Sequence, residues 1–276
     1  MKIYLSIDLE GITGVVGSYQ VLQSTGALPE VRRLLTGDVN AAIAGAKAGG
    51  ATTIWVNENH SGRDLLLEEV DPLAEVLLGV PKPCQTLEGL DSSFDAVFMI
   101  GIHAAAGTTA GVLDHTWSVK CIQNLRVNGV NIGELGLNAL LAGHYGVPIA
   151  LVTGDLAVAD EARELLGDVE CAVVKFGSDR YSARCLHPDK ARQVIQNAAE
   201  KAVQEVERFK ALRMEPPFVL EIDYANTTFA SCACWIPTAE RLGSRTVAFR
   251  AADFLAGYKT FLAAASLPVL YQDPIY

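Results

Sequence analysis

Four times in the first 155 residues, a short apolar run ends on residues able to do chemistry. Residues 2–7 lead to Asp8-Leu9-Glu10, 52–56 are followed by His60, 94–100 close on Gly101-Ile102-His103, and 148–152 precede Thr153-Gly154-Asp155. Between the first two lies an alanine-rich stretch, 36–48, stopped by Gly49-Gly50, which is a helix signature. Strands alternating with helices predict an α/β fold with a largely parallel sheet flanked by helices and joined by right-handed crossovers. In such sheets ligands bind beyond the carboxyl ends of the strands. Asp8, Glu10, His60 and His103 are all expected there.

The pattern changes after residue 117. Residues 119–127, Asn128-Gly129 and 130–132 carry the signal of a hairpin with a type I′ turn, expected to project from the sheet. Helical spacing follows at once from Gly133, with Glu134 in the first turn. Beyond 155 the sequence predicts a helix from about Asp160, a strand near 170–175 and an amphipathic helix over 189–209. After Pro216-Pro217 come strands over 218–224 and 246–250 and an apolar helix over 251–265. The expected organisation is a metal-binding α/β catalytic core, 1–155, completed by a smaller α+β portion, 156–276.

Charge excludes one class of function. Against 22 Lys+Arg stand 32 Asp+Glu, a net charge of -10, which would repel a phosphate backbone, so no nucleic-acid partner is expected. The first apolar run meets Asp8 and Glu10 long before a signal-peptide core or membrane span is complete, so a cytoplasmic protein without membrane contact is expected. Six cysteines without a CxxC pair read as reduced thiols. Cys232-Ala233-Cys234, in an alternating run, is expected on a strand with both sulfurs on one face.

If the first strand runs on to Glu10, Asp8 and Glu10 share a face about 7 Å apart, and two such carboxylates call for a cation between them. His60 and His103 converge on the same edge, and Glu134 completes an imidazole and carboxylate set suited to a divalent ion without thiolate. Five such ligands exceed one tetrahedral structural site and favour two metals, with Asp8 between them and a shared water as nucleophile. His115 is the remaining histidine best placed for proton transfer. His144, at a helix end, and His187, beside Pro188, read as structural. Gly11-Ile12-Thr13-Gly14-Val15-Val16-Gly17 follows a first strand, yet its spacing is GxxGxxG and two carboxylates precede it, which argues against a dinucleotide.

Ser6-Ile7-Asp8-Leu9-Glu10-Gly11-Ile12-Thr13-Gly14, His60, Gly101-Ile102-His103-Ala104, His115, and Asn128-Gly129 through Gly133-Glu134-Leu135-Gly136-Leu137-Asn138-Ala139 together resemble the D-aminopeptidase DppA family, peptidase family M55. The likeness spans nearly the whole chain, with a weaker echo in Ala172-Val173-Val174-Lys175 and Cys185-Leu186-His187-Pro188. It implies a zinc aminopeptidase acting on short peptides with an N-terminal D-residue, such as D-Ala-D-Ala, with two Zn²⁺ per subunit. It also implies a homodecamer of two stacked pentameric rings. By this resemblance Asp8 is similar to a bridging ligand, Glu10 and His60 to ligands of one zinc, His103 and Glu134 to ligands of the other, and His115 to the catalytic histidine. The sequence departs from the family at Asn57-Glu58-Asn59-His60, where Asn-Asp-Ser-His is more usual, around 177–185, and near 232. The same metal site acting on L-peptides, cell-wall fragments or another small amide is the nearest competing expectation, and a non-catalytic metal-binding ring protein is a further one.

Overall fold

The computed structural model describes residues 1–21, 27–60 and 62–271. The apolar runs form the centre of a seven-stranded sheet. β1 (Lys2–Ile7) pairs in parallel with β2 (Thr53–Glu58) on one side and β4 (Ala96–Ile100) on the other. The order continues outward to β3 (Ala74–Leu77) beyond β2, and to β7 (Ile149–Asp155), β8 (Glu170–Asp179) and β9 (Ser182–Cys185) beyond β4. All pairs are parallel except β8 with β9. After β1 the chain builds first to the β2 side and then to the β4 side, so the switch point, where open α/β sheets take ligands, lies between β1 and β4.

Both faces of this sheet are covered, which is why its strands read as unbroken apolar runs. Ile3, Leu5 and Ile7 of β1, with Ile54, Val56, Phe98 and Ile100, face α2 (Pro29–Ala48) and α5 (Pro188–Gln204). α2 begins seven residues before the expected start because Pro29 suits the first helical position, and Val31, Leu35 and Val39 carry its apolar stripe further back. The short α1 (Ser18–Val21) precedes it. α4 (Leu156–Leu166) is capped by Asp155, whose side chain accepts from the Val158 amide at 2.9 Å.

The opposite face meets a second core with a five-stranded antiparallel sheet, ordered β11 (Ala239–Arg241), β12 (Thr246–Ala251), β10 (Phe218–Tyr224), β5 (Ile122–Val127) and β6 (Val130–Asn131). The hairpin expected to project is β5–β6, closed by Asn128 and Gly129 at φ 51° and 80°, the pair of positive values a type I′ turn needs. It leaves the parallel sheet and pairs with β10. Elements from both sides of residue 155 therefore enter both sheets, since β8, β9 and α5 build on the first and β5 and β6 on the second. α3 (Glu134–His144) and α7 (Phe254–Ser266) fill the second core with Leu137, Leu141, Tyr258 and Phe261. α7 starts after the Asp253 cap, three residues later than expected. Phe254–Tyr271 is apolar and long enough to cross a membrane, but Phe254, Tyr258 and Phe261 are packed into this core.

β1 ends at Ile7 as expected, so Asp8 and Glu10 share the turn that follows rather than a strand face. One local expectation fails. Cys232 lies inside α6 (Thr227–Ala233), with Cys234 at its end. The Asn226 side chain caps that helix through the Phe229 amide at 3.0 Å, and two residues along a helix point to different sides.

Candidate metal centre and active site

The turn after β1 is locked to the turn after β4. The Asp8 amide donates to the Ile100 carbonyl at 2.9 Å, and the Gly11 amide to that of Gly101 at 2.7 Å. A Cβ on Gly11 would run into the backbone of Gly101 and Ile102, so only glycine fits there. This interlock brings Asp8 and Glu10 beside His103. Glu134 arrives from α3, in the first turn, where the helix dipole favours an anion. His60 follows β2, and His115 lies on the loop between β4 and β5. The six line one cavity of about 720 Å³.

Their separations have a consistent length. His103 Nε2 lies 3.5 Å from Asp8 Oδ2 and 3.4 Å from Glu134 Oε1, and His60 Nε2 lies 3.4 Å from Glu10 Oε1. Charge-assisted hydrogen bonds would be about 2.7–2.9 Å. Two ligand atoms each about 2.1 Å from one tetrahedral ion stand ~3.4 Å apart. Asp8, Glu10 and His103 offer ligand atoms within 4.8 Å of one another, as do His103, His115 and Glu134, and His60 joins through Glu10. His103 Nε2 and Glu10 Oε2 are buried without a hydrogen-bond partner, and His103 Nε2 faces the carboxylates of Asp8 and Glu134. The residues present therefore fit divalent metal.

The tautomers fit as well. Nδ1 of His103 lies 3.0 Å from the Ala104 carbonyl, and Nδ1 of His115 2.8 Å from that of Leu113. A carbonyl only accepts, so each Nδ1 carries the hydrogen, leaving the Nε2 lone pair aimed into the cavity. The two rings stack with centroids 3.8 Å apart, and His115 Nε2 is 3.8 Å from Glu134 Oε1. Burial, then the neighbouring Glu10, push Asp8 well above the usual carboxylate range. Burial would lower His103, but Glu134, then Asp8 and Glu10, take it up to about 10. Burial would raise Glu10, yet His60, with His115 and His103 beyond, holds it well below the ordinary value. A site that draws this much positive charge onto a buried imidazole is one that accommodates a cation. His115 moves the other way, lowered by burial and then by the charge of His103, which favours its neutral form.

Several supporting residues escaped the sequence reading. Asp64, fully buried, places Oδ2 3.4 Å from His60 Nδ1 and fixes its own position by accepting from the Ala27 amide at 2.8 Å. A carboxylate behind an imidazole is the usual outer partner of a metal-ligating histidine. Lys175 crosses from β8 beneath the first loop, donating from Nζ to the carbonyls of Glu10, Ile12 and Val15, the last two at 3.0 and 2.6 Å. Burial lowers it to about 8, against the pull of Asp155. Arg180 holds the loop that carries His115: its carbonyl accepts from the Leu113 amide and its Nη1 donates to Asp114 Oδ1, both at 2.8 Å. Gln85, Leu113 and Trp117 line the cavity at φ 43°, 56° and 61°, and such strained conformations collect at functional sites. The Trp117 amide donates to Glu134 Oε1. His144 and His187 lie elsewhere, at the C-terminal end of α3 and at the N-cap of α5. A charged residue inside an apolar strand, as in Ala-Val-Val-Lys, was the available signal for Lys175, and the four-residue spacing from His60 that for Asp64.

A family model described as D-aminopeptidase matches residues 1–263. The D-aminopeptidase of Bacillus subtilis (strain 168) is 36% identical over 269 residues, 97% of this chain and 97% of that protein. Among solved structures, one described as Zn-dependent D-aminopeptidase DppA from Bacillus subtilis, a self-compartmentalizing protease, superposes with a TM-score of 0.94. It is 35% identical, over 99% of this chain and 100% of that one.

Proposed function

Because the chain belongs to the D-aminopeptidase family, peptidase family M55, a family of peptide-bond hydrolases, we propose that it is a zinc-dependent aminopeptidase releasing the N-terminal D-residue of short peptides of the D-Ala-D-Ala type. The observation that carries the reading is the paired geometry of the cluster. His60 stands against Glu10 and His103 against Glu134, and Asp8 belongs with both, 3.5 Å from His103 and clustered with Glu10. Glu10 and His60 would hold one Zn²⁺, His103 and Glu134 the other, with Asp8 shared between them. Zinc bound there supplies polarisation of the scissile carbonyl and acidification of the attacking water.

The protein's own groups do the rest. The substrate's free α-amino group would lie beside the metals and the buried carboxylates, which selects a free N-terminus. His115, with Nδ1 tied to the Leu113 carbonyl, presents Nε2 to take a proton from the water and return it to the leaving amine. The strained backbone at Leu113 and Trp117 holds that ring against His103. A ring assembly of ten subunits and a cytoplasmic location belong to the same proposal. The assembly is supported by the self-compartmentalizing relative and by apolar surface at Trp235, Leu270 and Tyr271.

The test is hydrolysis of D-Ala-D-Ala and L-Ala-L-Ala by chelator-stripped protein titrated with Zn²⁺. The expected outcome is activity returning as two Zn²⁺ bind per chain, with the D,D substrate preferred. Activity on L,L alone would keep the site and overturn the substrate. Activity complete at one zinc would overturn the dinuclear mechanism.

A further inference from the structure

The charges around the active-site cavity are segregated. Its carboxylates, Asp8, Glu10 and Glu134, are all buried. Apart from the histidines, the remaining charged residues lining it are Lys120 and Arg180, both cationic and both nearer solvent, in a chain with ten more acids than bases. The cavity thus carries its acidic side chains at the floor, where metal would bind, and its basic ones at the rim, with Val80, Val119 and Tyr181 as exposed apolar surface alongside.

The two rim cations are not equivalent. Arg180 is engaged with Asp114 at 2.8 Å, and that pair serves the His115 loop. Lys120 makes no ion pair or hydrogen bond among the described residues. Its place along the chain limits its distance from the chemistry. The Trp117 amide touches Glu134, and Lys120 is three residues further on, so its Cα stands within roughly 11 Å of that of Trp117. The intervening segment turns back, with Ser118 donating to the Thr116 carbonyl at 2.7 Å and Cys121 to that of Ser118 at 3.1 Å, which shortens the span. A dipeptide spans about 7 Å from amine to carboxylate, a distance the lysine side chain can complement.

Resting on the function proposed above, we propose that Lys120 is a specificity-determining residue that binds the C-terminal carboxylate of the substrate while its amine lies at the metal centre. The cavity then reads both ends of a zwitterion. Length selection arises inside each subunit, in addition to any exclusion by the assembly, because in a longer peptide the second charge falls beyond the lysine. Lys120 holds and orients the substrate and takes no part in bond cleavage.

The experiment compares D-Ala-D-Ala with its C-terminal amide on zinc-loaded full-length protein, for the wild type, Lys120→Met and Lys120→Arg. The wild type is expected to prefer the free acid by about tenfold in kcat/KM, the scale of one partly exposed charge-assisted hydrogen bond. Lys120→Met is expected to bring the acid-to-amide ratio within about twofold, through KM for the acid with kcat retained, and Lys120→Arg to restore most of it. Hydrolysis of both substrates with the same ratio in wild type and Lys120→Met would overturn the role of Lys120 alone. Absence of turnover on both by the wild type would overturn the D-peptide reading, and this inference with it.

Discussion

The two sheets treat charge in opposite ways. Along the carboxyl edge of the parallel sheet and in the loops and helices beside it, Asp8, Glu10, Asp38, Glu58, Asp64, His103, Asp114, His115, Glu134, Asp155 and Lys175 are all buried. Among the described residues, neither the antiparallel sheet nor α6 or α7 buries a single charged side chain. β10 instead alternates as a one-sided strand does, with Leu220, Ile222 and Tyr224 in the core while Glu221 and Asp223 face outward to Arg126. Dry charge is costly to keep, so its confinement to one edge marks where the fold serves chemistry and where it serves packing. Substitutions on the two sheets should differ accordingly, in size and in what they change.

The largest effect is expected at His115. Replacing it with alanine should lower turnover by about 10²-fold or more, the scale of lost general acid–base catalysis, with zinc content and assembly unchanged. Its Nε2 also stands close enough to Glu134 to bind metal, so the zinc content of the variant decides between the two roles. Stoichiometry falling by one per chain would make His115 a ligand and remove it from proton transfer.

A smaller effect is expected one shell out, at Asp64. Asp64→Asn keeps the shape but removes the charge behind His60, and zinc affinity should drop by roughly 10- to 100-fold. At saturating zinc most of the turnover should return, which separates this variant from one lacking a ligand. Zinc affinity equal to that of the wild type would show that Asp64 anchors only the Ala27 amide and the loop around it.

How much of this was legible in the sequence follows the same division. β1, β2 and β4 stood out because strands buried on both faces are unbroken apolar runs, and the residues just past their ends drew attention to Asp8, Glu10, His60 and His103. The hairpin turn could be read because Asn128-Gly129 satisfies a local backbone requirement. The partner of β5 could not, since β10 lies about a hundred residues away and antiparallel pairing at that range leaves no local trace. The alternation in Ser-Cys-Ala-Cys-Trp was too short to distinguish a strand from a helix, and the Asn226 cap decided it. Asp64 and Lys175 were missed for another reason: each acts through loop geometry, one behind an imidazole and the other beneath three carbonyls.

The smallest effect is expected on the antiparallel sheet, at Arg126. Its guanidinium bonds Glu221 at 2.9 Å and Asp223 at 2.7 Å, a geometry as good as any in the molecule, yet the three side chains keep 21–27% of their surface in water. Solvent screens such pairs, so Arg126→Ala should cost no more than about 1 kcal/mol at neutral pH, read as a shift in urea midpoint, and leave turnover and zinc content unchanged. The hydrogen bond from Arg126 lowers Asp223 below its ordinary range. With the folded pKa depressed, the stabilisation is present above the unfolded value near pH ~3.9 and fades as pH falls through the lower folded one. The gap between wild type and variant should therefore close in acid. A cost of several kcal/mol, or one that persists below the folded pKa of Asp223, would mean that the arginine's aliphatic stem carries core packing, and the contrast between the two sheets would weaken there.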